Sequence, residues 1–304
     1  MVCLLISVVL ASLTSGTFVN YRYFHRAPRR SEDSHRSLTS TTAYRSGSRK
    51  GMDLTFGAPL QPSILKYFSS KQPSTSSTQP DNSVRGRLRG GILLRSIRQL
   101  GLNGKIISGP SLLVDQILTS SGSPSIEDLV EKKWEGNISA FLFDEGSTAT
   151  CLYLKEVKPE DRKTLTKVYF SPRIGLDLSH PGTTGPATLP LHPRIKFITK
   201  HYRFFVLPDK LVANGRPQTF IGILQSFLAS SPSLEGALGR PSLSSEVANL
   251  MGLKASTAAK YLSDFKAGRQ AGLRAVESVV GPNGKGASSS PATYLKMMGA
   301  LSTL

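Results

Sequence analysis

The amino-acid sequence predicts an α+β fold, with a curved, mostly antiparallel sheet and flanking helices. Three observations carry this. Apolar segments of strand length recur between residues 91 and 207, helix starts sit among them, and a tail of helical spacing follows from 208 to 304. The chain has 304 residues, enough for one sizeable core or two small ones at about 100–200 residues per domain.

Residues 1–20 open with the apolar run Val2 to Leu13. It is too short to span a bilayer and fits the core of a signal peptide, or a mis-assigned leader ahead of a true start at Met52. From Tyr21 to Lys50 the chain is rich in Arg and Ser and poor in acids, a composition like that of an organelle transit peptide. Residues 21–90 hold too little apolar surface to offset the entropy of ordering, so disorder is expected there.

Order is expected from Gly90. Ile92 to Ile97 reads as a buried strand. Ser108-Gly109-Pro110 starts a helix to about Ser120, with Leu112, Leu113, Gln116 and Ile117 on one face. Ser125 begins a second helix, with Glu127 and Asp128 where the dipole favours acids and Trp134 near its end. Strand candidates follow at Ala140–Phe143, Cys151–Val157, Lys167–Phe170 and Arg173–Leu176. Gly182 to Pro190 is a loop, and His201 to Val206 is a last apolar segment. In the tail, helices are expected around Phe220–Phe227, Ser244–Leu253 and Ser256–Val280, with a linker from Gly281 to Ser290 and a short final helix.

The net charge of +18 draws the chain to polyanions, because each neutralised phosphate releases a counterion. Nucleic acid is the first candidate partner and an anionic membrane surface the second. The two cysteines, Cys3 and Cys151, make neither a disulfide framework nor a zinc site. The five histidines show no ligand spacing, so neither metal nor cofactor is expected.

Four segments in order resemble the C-terminal half of the alkyladenine (3-methyladenine) DNA glycosylases. Gly91-Ile92-Leu93-Leu94-Arg95-Ser96-Ile97 resembles the family's "V-L-L-R-A-L" strand, and Ile107-Ser108-Gly109-Pro110-Ser111-Leu112-Leu113 resembles its "N/S-G-P-x-K-L" helix start. Ser171-Pro172-Arg173-Ile174-Gly175-Leu176 is similar to its "x-x-R-V/I-G-I/V" strand, and Tyr202-Arg203-Phe204-Phe205-Val206 to its closing "x-R-F-Y-V". The resemblance implies a glycosylase-like domain at 91–207, a partial glycosylase fold. It also implies hydrolysis of the N-glycosidic bond of a damaged purine flipped out of duplex DNA. By match, Arg95 would hold the attacking water and the main-chain carbonyl of Ile174 would face it. Arg98, Lys105, Arg173, Arg203 and, in the tail, Lys260 are the candidate DNA contacts. The family's general base is a glutamate upstream of "L-L-R", yet no glutamate lies between Asp53 and Arg95. The general base is thus missing, and no base excision is expected.

Gln61-Pro62-Ser63-Ile64-Leu65-Lys66-Tyr67-Phe68 fits the Q-x-x-[ILM]-x-x-[YF]-[YF] pattern of sliding-clamp ligands. One 3₁₀ turn aligns Ile64, Tyr67 and Phe68 as an apolar plug and leaves Gln61 for a polar pocket. Burying three such side chains gives on the order of 5–8 kcal/mol gross. Ordering the peptide removes several of these, leaving micromolar-class binding. Residues 244–262 resemble a helix-turn-helix: Ala248 is small where the helices cross, Gly252 permits the turn and Ser256 caps the second helix. That helix would present Thr257, Lys260 and Lys266 to a groove; the plainer reading is a helical hairpin. The expected protein is thus a monomer, with damaged double-stranded DNA and a sliding clamp as partners. No membrane is expected for the mature form. It would reside in the nucleus, or in a mitochondrion or plastid through the leader. A non-catalytic adaptor that binds DNA and the clamp is the alternative.

Overall fold

The computed structural model describes residues 4–5, 18–26, 43–59, 87–99, 104–138, 167–188, 190–211, 215–282 and 290–304. They fall into two compact units, Met1–Lys158 and Pro159–Leu304. Both mix helix with short antiparallel sheets, as the α+β class requires. The strand candidates at 140–143 and 151–157 and the clamp-type peptide at 61–68 lie outside the described residues.

The first unit holds β1 (Leu4–Leu5), β2 (Phe18–Phe24), β3 (Met52–Pro59), β4 (Arg87–Leu93), β5 (Ser96–Gln99) and β6 (Ile106–Ser108). They form two three-stranded antiparallel sheets, ordered β1-β5-β6 and β2-β3-β4. Strands therefore run through segments whose composition suggests a leader and disorder. Composition averages over a window, whereas these strands bury only alternate positions: Phe24, Met52 and Leu54 turn inward. Each such side chain gains about 1.5–3 kcal/mol on burial.

The expected strand from Ile92 to Ile97 is two strands. Leu94 donates to the Met52 carbonyl at 3.0 Å, and the Arg95 carbonyl then accepts from the Gly109 amide at 2.7 Å. The chain changes hydrogen-bond partners at this point and passes from one sheet to the other. Helix α1 (Pro110–Ser120) starts as expected, with Pro110 in its first turn after Gly109 at φ 132°. Its buried face is Leu113, Val114, Ile117 and Leu118, one position round from the expected stripe, and Leu112 is 55% exposed. The next helix begins near Ser125, whose hydroxyl accepts from the Asp128 amide at 3.1 Å. It widens to a π-helix over Asp128–Lys133, and Trp134 bonds back to Leu129 at 2.9 Å. This turn brings Leu129, Val130 and Trp134 into the core, where Trp134 stacks on Phe24 with centroids 5.7 Å apart.

In the second unit, β7 (Tyr169–Ser171) pairs antiparallel with β8 (Arg203–Phe205), and α2 (Pro193–Ile198) precedes β8. The expected strand at 173–176 is a turn instead. Pro172 lacks the amide a ladder needs, and Gly175 sits at φ 84°. The tail forms α3 (Arg216–Ala229), α4 (Leu234–Gly239), α5 (Leu243–Met251), α6 (Ala255–Ala271), α7 (Arg274–Glu277) and α8 (Pro291–Leu301). It is not a separate domain after residue 207. Helix α3 buries Phe220, Ile221, Ile223 and Leu224, nearly all round, and shares one core with Tyr169, Leu178, Ile198 and Phe205. A helix apolar on every side must be covered on every side, and the β7–β8 pair supplies one cover. Gly222 makes that contact possible, because a Cβ there would meet the Phe170 carbonyl and come within 3.1 Å of the Phe205 ring.

Candidate functional site

One face of the β2-β3-β4 sheet carries polar side chains beside Leu93. Tyr23 pairs with Asp53 across β2 and β3, and Asp53 pairs with Leu93 across β3 and β4. Directly opposed residues share a face, so Tyr23, Asp53 and Leu93 stand together, with Thr55 and Gly91 as the next pair along it. His25 follows β2 and sets its Nε2 3.1 Å from Asp53 Oδ2. Both side chains are half-buried. Backbone bonds hold His25 at both ends: its amide donates to Gly51 at 2.9 Å, and its carbonyl accepts from Arg45 at 2.9 Å. Gly51 lets the imidazole lie against the main chain, since a Cβ there would sit 2.6 Å from the ring. A carboxylate and an imidazole in contact can hold and transfer a proton. Arg95 stands two residues beyond Leu93, at the junction of the two sheets.

Arg22, Arg26, Arg45 and Lys50, in and beside the sheet, each have a partner, and Arg22, opposed to Leu54, is buried on the inner face. Arg22 lies 3.9 Å over the Trp134 ring and donates to the Asn137 carbonyl at 2.8 Å. Arg26 lies 4.1 Å over the Tyr44 ring and donates to its hydroxyl at 2.8 Å. Burial raises the Tyr44 phenol above its ordinary pKa, against the opposing pull of Arg26. Arg45 Nε donates to the Arg26 carbonyl at 3.0 Å, and Lys50 pairs with Asp115.

Among the residues singled out from the sequence, Arg95 is half-buried, while Arg98 and Lys105 are exposed. The first two glycosylase-like segments meet within this unit, through the Gly109–Arg95 bond and the β5–β6 pairs Ser96↔Ser108 and Ile97↔Ile107. The last two meet within the second unit, through Ser171↔Arg203. There Arg173 is exposed and Ile174 half-buried, with Gly215 leaving room for its side chain. Arg203 is not displayed for an incoming phosphate. It is 9% exposed, donates to Ser171 Oγ at 3.2 Å and covers the Phe205 ring at 4.5 Å.

The helix pair at 244–262 is present as α5, a turn at Gly252 (φ 59°) and α6, with Ala248 buried. Lys254, not Ser256, precedes α6, and Ser256 is exposed in its first turn. Lys260 is exposed and lies 3.6 Å from Asp264. A shallow basin of about 390 Å³ opens beside Glu235, Lys266 and Arg269. Its guanidinium is already engaged by Glu235 at 2.6 Å and by the Ser302 hydroxyl at 2.7 Å. Among the described residues no cluster of His, Cys, Asp and Glu could hold a metal ion, and no helix is long and apolar enough to cross a membrane.

His25 and Asp53 escape a reading of the sequence because 28 positions separate them and only the pairing of β2 with β3 joins them. No family model matches the chain. No solved structure matches it either. A curated protein of Acanthamoeba polyphaga mimivirus, described as uncharacterized, is 31% identical over 165 residues. That match covers 54% of this chain and 56% of the viral protein, so the chain spans about half the length of the curated relative it matches.

Proposed function

We propose that the chain is a DNA-repair protein of the alkyladenine glycosylase type, which engages double-stranded DNA carrying damaged purines. The observation that carries the reading is the order and pairing of the four glycosylase-like segments. The "L-L-R" strand end is bonded to the "S-G-P" helix start through Arg95 and Gly109, and the other two segments are bonded through Ser171 and Arg203. The net charge of +18 supports a polyanionic partner. Excision requires a carboxylate at the attacking water, and the family's glutamate has no counterpart between Asp53 and Arg95. Asp53, held by His25 and opposed to Leu93, is the candidate carboxylate on that sheet face, and with Asp53 in that role base release replaces the absence of excision expected from the missing glutamate. The nucleus is the proposed location.

A second reading, a non-catalytic adaptor for DNA and the sliding clamp, is favoured by that missing glutamate and by the α5–α6 helix pair. One experiment separates the two. The full chain is titrated with a short duplex carrying hypoxanthine or 3-methyladenine, and both affinity and released base are measured. Binding that falls by orders of magnitude between about 50 and 200 mM salt is expected of either reading. Base release by wild type that is lost in Asp53→Asn supports the glycosylase. Binding without release supports the adaptor. No preference for duplex DNA over buffer removes both.

A further inference from the structure

The β7–β8 pair has two unlike faces. Tyr169, Ser171, Arg203 and Phe205 turn inward. Phe170 and Phe204, directly opposed in the ladder, turn outward and are 42% and 50% exposed. Their rings meet edge to face with centroids 5.3 Å apart. Tyr202 precedes Phe204 by two residues, so extended chain brings it to the same side, and it is 55% exposed. Phe197, at the end of α2, stacks on Tyr202 at 6.4 Å and is itself half-exposed. The result is a row of four solvent-facing rings: Phe197, Tyr202, Phe204 and Phe170. The row is held from behind, since Gly222 of α3 presses on the β7 main chain.

The charge around the row is one-sided. From residue 167 to 208 the exposed basic side chains are Lys167, Arg173, Arg194, Lys196 and Lys200, against the single acid Asp177. Lys196 precedes Phe197 and Lys200 lies between Phe197 and Tyr202 in sequence, and both are exposed. Exposed rings interleaved with cations are what successive unpaired bases and their phosphates require. Duplex DNA offers no free base face to such a row. Binding to a membrane surface is the work of a long amphipathic helix with a wide apolar face, whereas these rings stand on or beside two three-residue strands and at the end of a six-residue helix.

We propose that this aromatic row is a binding platform for single-stranded nucleic acid, with bases stacked on Tyr202 and Phe204 and phosphates met by Lys196 and Lys200. The proposal does not rest on the repair reading or on excision.

The test uses the full chain and a fluorescently labelled oligothymidylate, with a duplex of equal length and phosphatidylserine vesicles as parallel probes. Wild type is expected to bind the single strand. Phe204→Ala and Tyr202→Ala are expected to weaken that binding about tenfold each, and Phe204→Trp to retain it. Lys196→Gln with Lys200→Gln should lower the slope of log affinity against log salt by about 1–2. Duplex affinity should be unchanged in the alanine variants, which keeps this outcome separate from that of the repair reading. Ultraviolet cross-linking of wild type supplies a readout that needs no variant, with the adduct expected on the peptide from Phe197 to Phe204. The proposal is overturned if both alanine variants bind the oligothymidylate as wild type does. It is equally overturned if the cross-links fall only elsewhere, or if vesicles bind and the oligonucleotide does not.

Discussion

Replacing Gly268 with alanine probes the contact on which the second unit depends most. Helices α6 and α8 touch main chain to main chain at two glycines. A Cβ on Gly268 would lie 2.6 Å from the Lys296 carbonyl carbon and 2.7 Å from its Cα, and one on Gly299 would lie 2.9 Å from the Phe265 carbonyl carbon. Carbon atoms pack at about 3.5–4.0 Å, so the added methyl must drive the helices apart by about 1 Å. A gap of that size forfeits about a quarter to a half of the dispersion energy across it. The side chains that lose it are Phe265, Leu295 and Met298, all buried. The loss is comparable to a large-to-small core substitution, about 3 kcal/mol, while alanine's better helix propensity returns about 1 kcal/mol. The net expectation is a destabilisation of about 2 kcal/mol. Urea denaturation followed by far-ultraviolet circular dichroism measures it as a lower midpoint at unchanged slope. Gly239→Ala is the control: a Cβ there meets nothing within 4 Å, so its midpoint should stay within about 0.5 kcal/mol of wild type. A Gly268→Ala protein as stable as wild type would refute the close crossing and the reason given for both glycines.

Three further outcomes are expected. The Tyr294 hydroxyl is buried with no hydrogen-bond partner among the described residues, and burial raises its pKa, with Arg203 pulling the other way. The folded state thus holds this proton more tightly than the unfolded chain. Its contribution is complete below about pH 10 and falls as pH rises further. Tyr294→Phe should raise the melting temperature by an amount matching about 1 kcal/mol and flatten its decline above pH 10, both read from melting curves across that range. Leu113→Ala should cost about 3 kcal/mol and Leu112→Ala less than about 0.5 kcal/mol by the same urea titration; equal costs would contradict the rotated face of α1. A peptide of residues 57–72 should bind a sliding clamp with micromolar-class affinity by calorimetry, and silence at about 100 μM would remove the clamp as a partner.

Local signals were legible in proportion to how local their causes are. The start of α1 follows from Gly109 and Pro110, and the turn between α5 and α6 from Gly252. The helices of the tail follow from apolar spacing in segments such as Phe220–Phe227. Among the expectations that failed, one had a local cause and two had causes outside any window. The strand at 173–176 is a turn, because Pro172 and Gly175 outweigh the apolar run they interrupt. The front of the chain holds strands because Phe24, Met52 and Leu54 find a common core that low average hydropathy conceals. Arg203 reads as a surface cation in a list of basic residues, yet it lies over Phe205 inside the second unit.

By itself the sequence determined the mixed class, the net charge of +18, the helix start at Gly109–Pro110 and the turn at Gly252. These depend on residue type and on spacing within a few turns of chain. Tertiary structure alone decided that His25 meets Asp53, that the tail shares a core with the β7–β8 pair, and that Phe197 stacks on Tyr202 and Phe204 meets Phe170 as exposed ring pairs. The physical reason is that strand pairing and side-chain packing join residues dozens of positions apart, and which partner each strand finds is set by the burial of the whole unit and not by its own few residues.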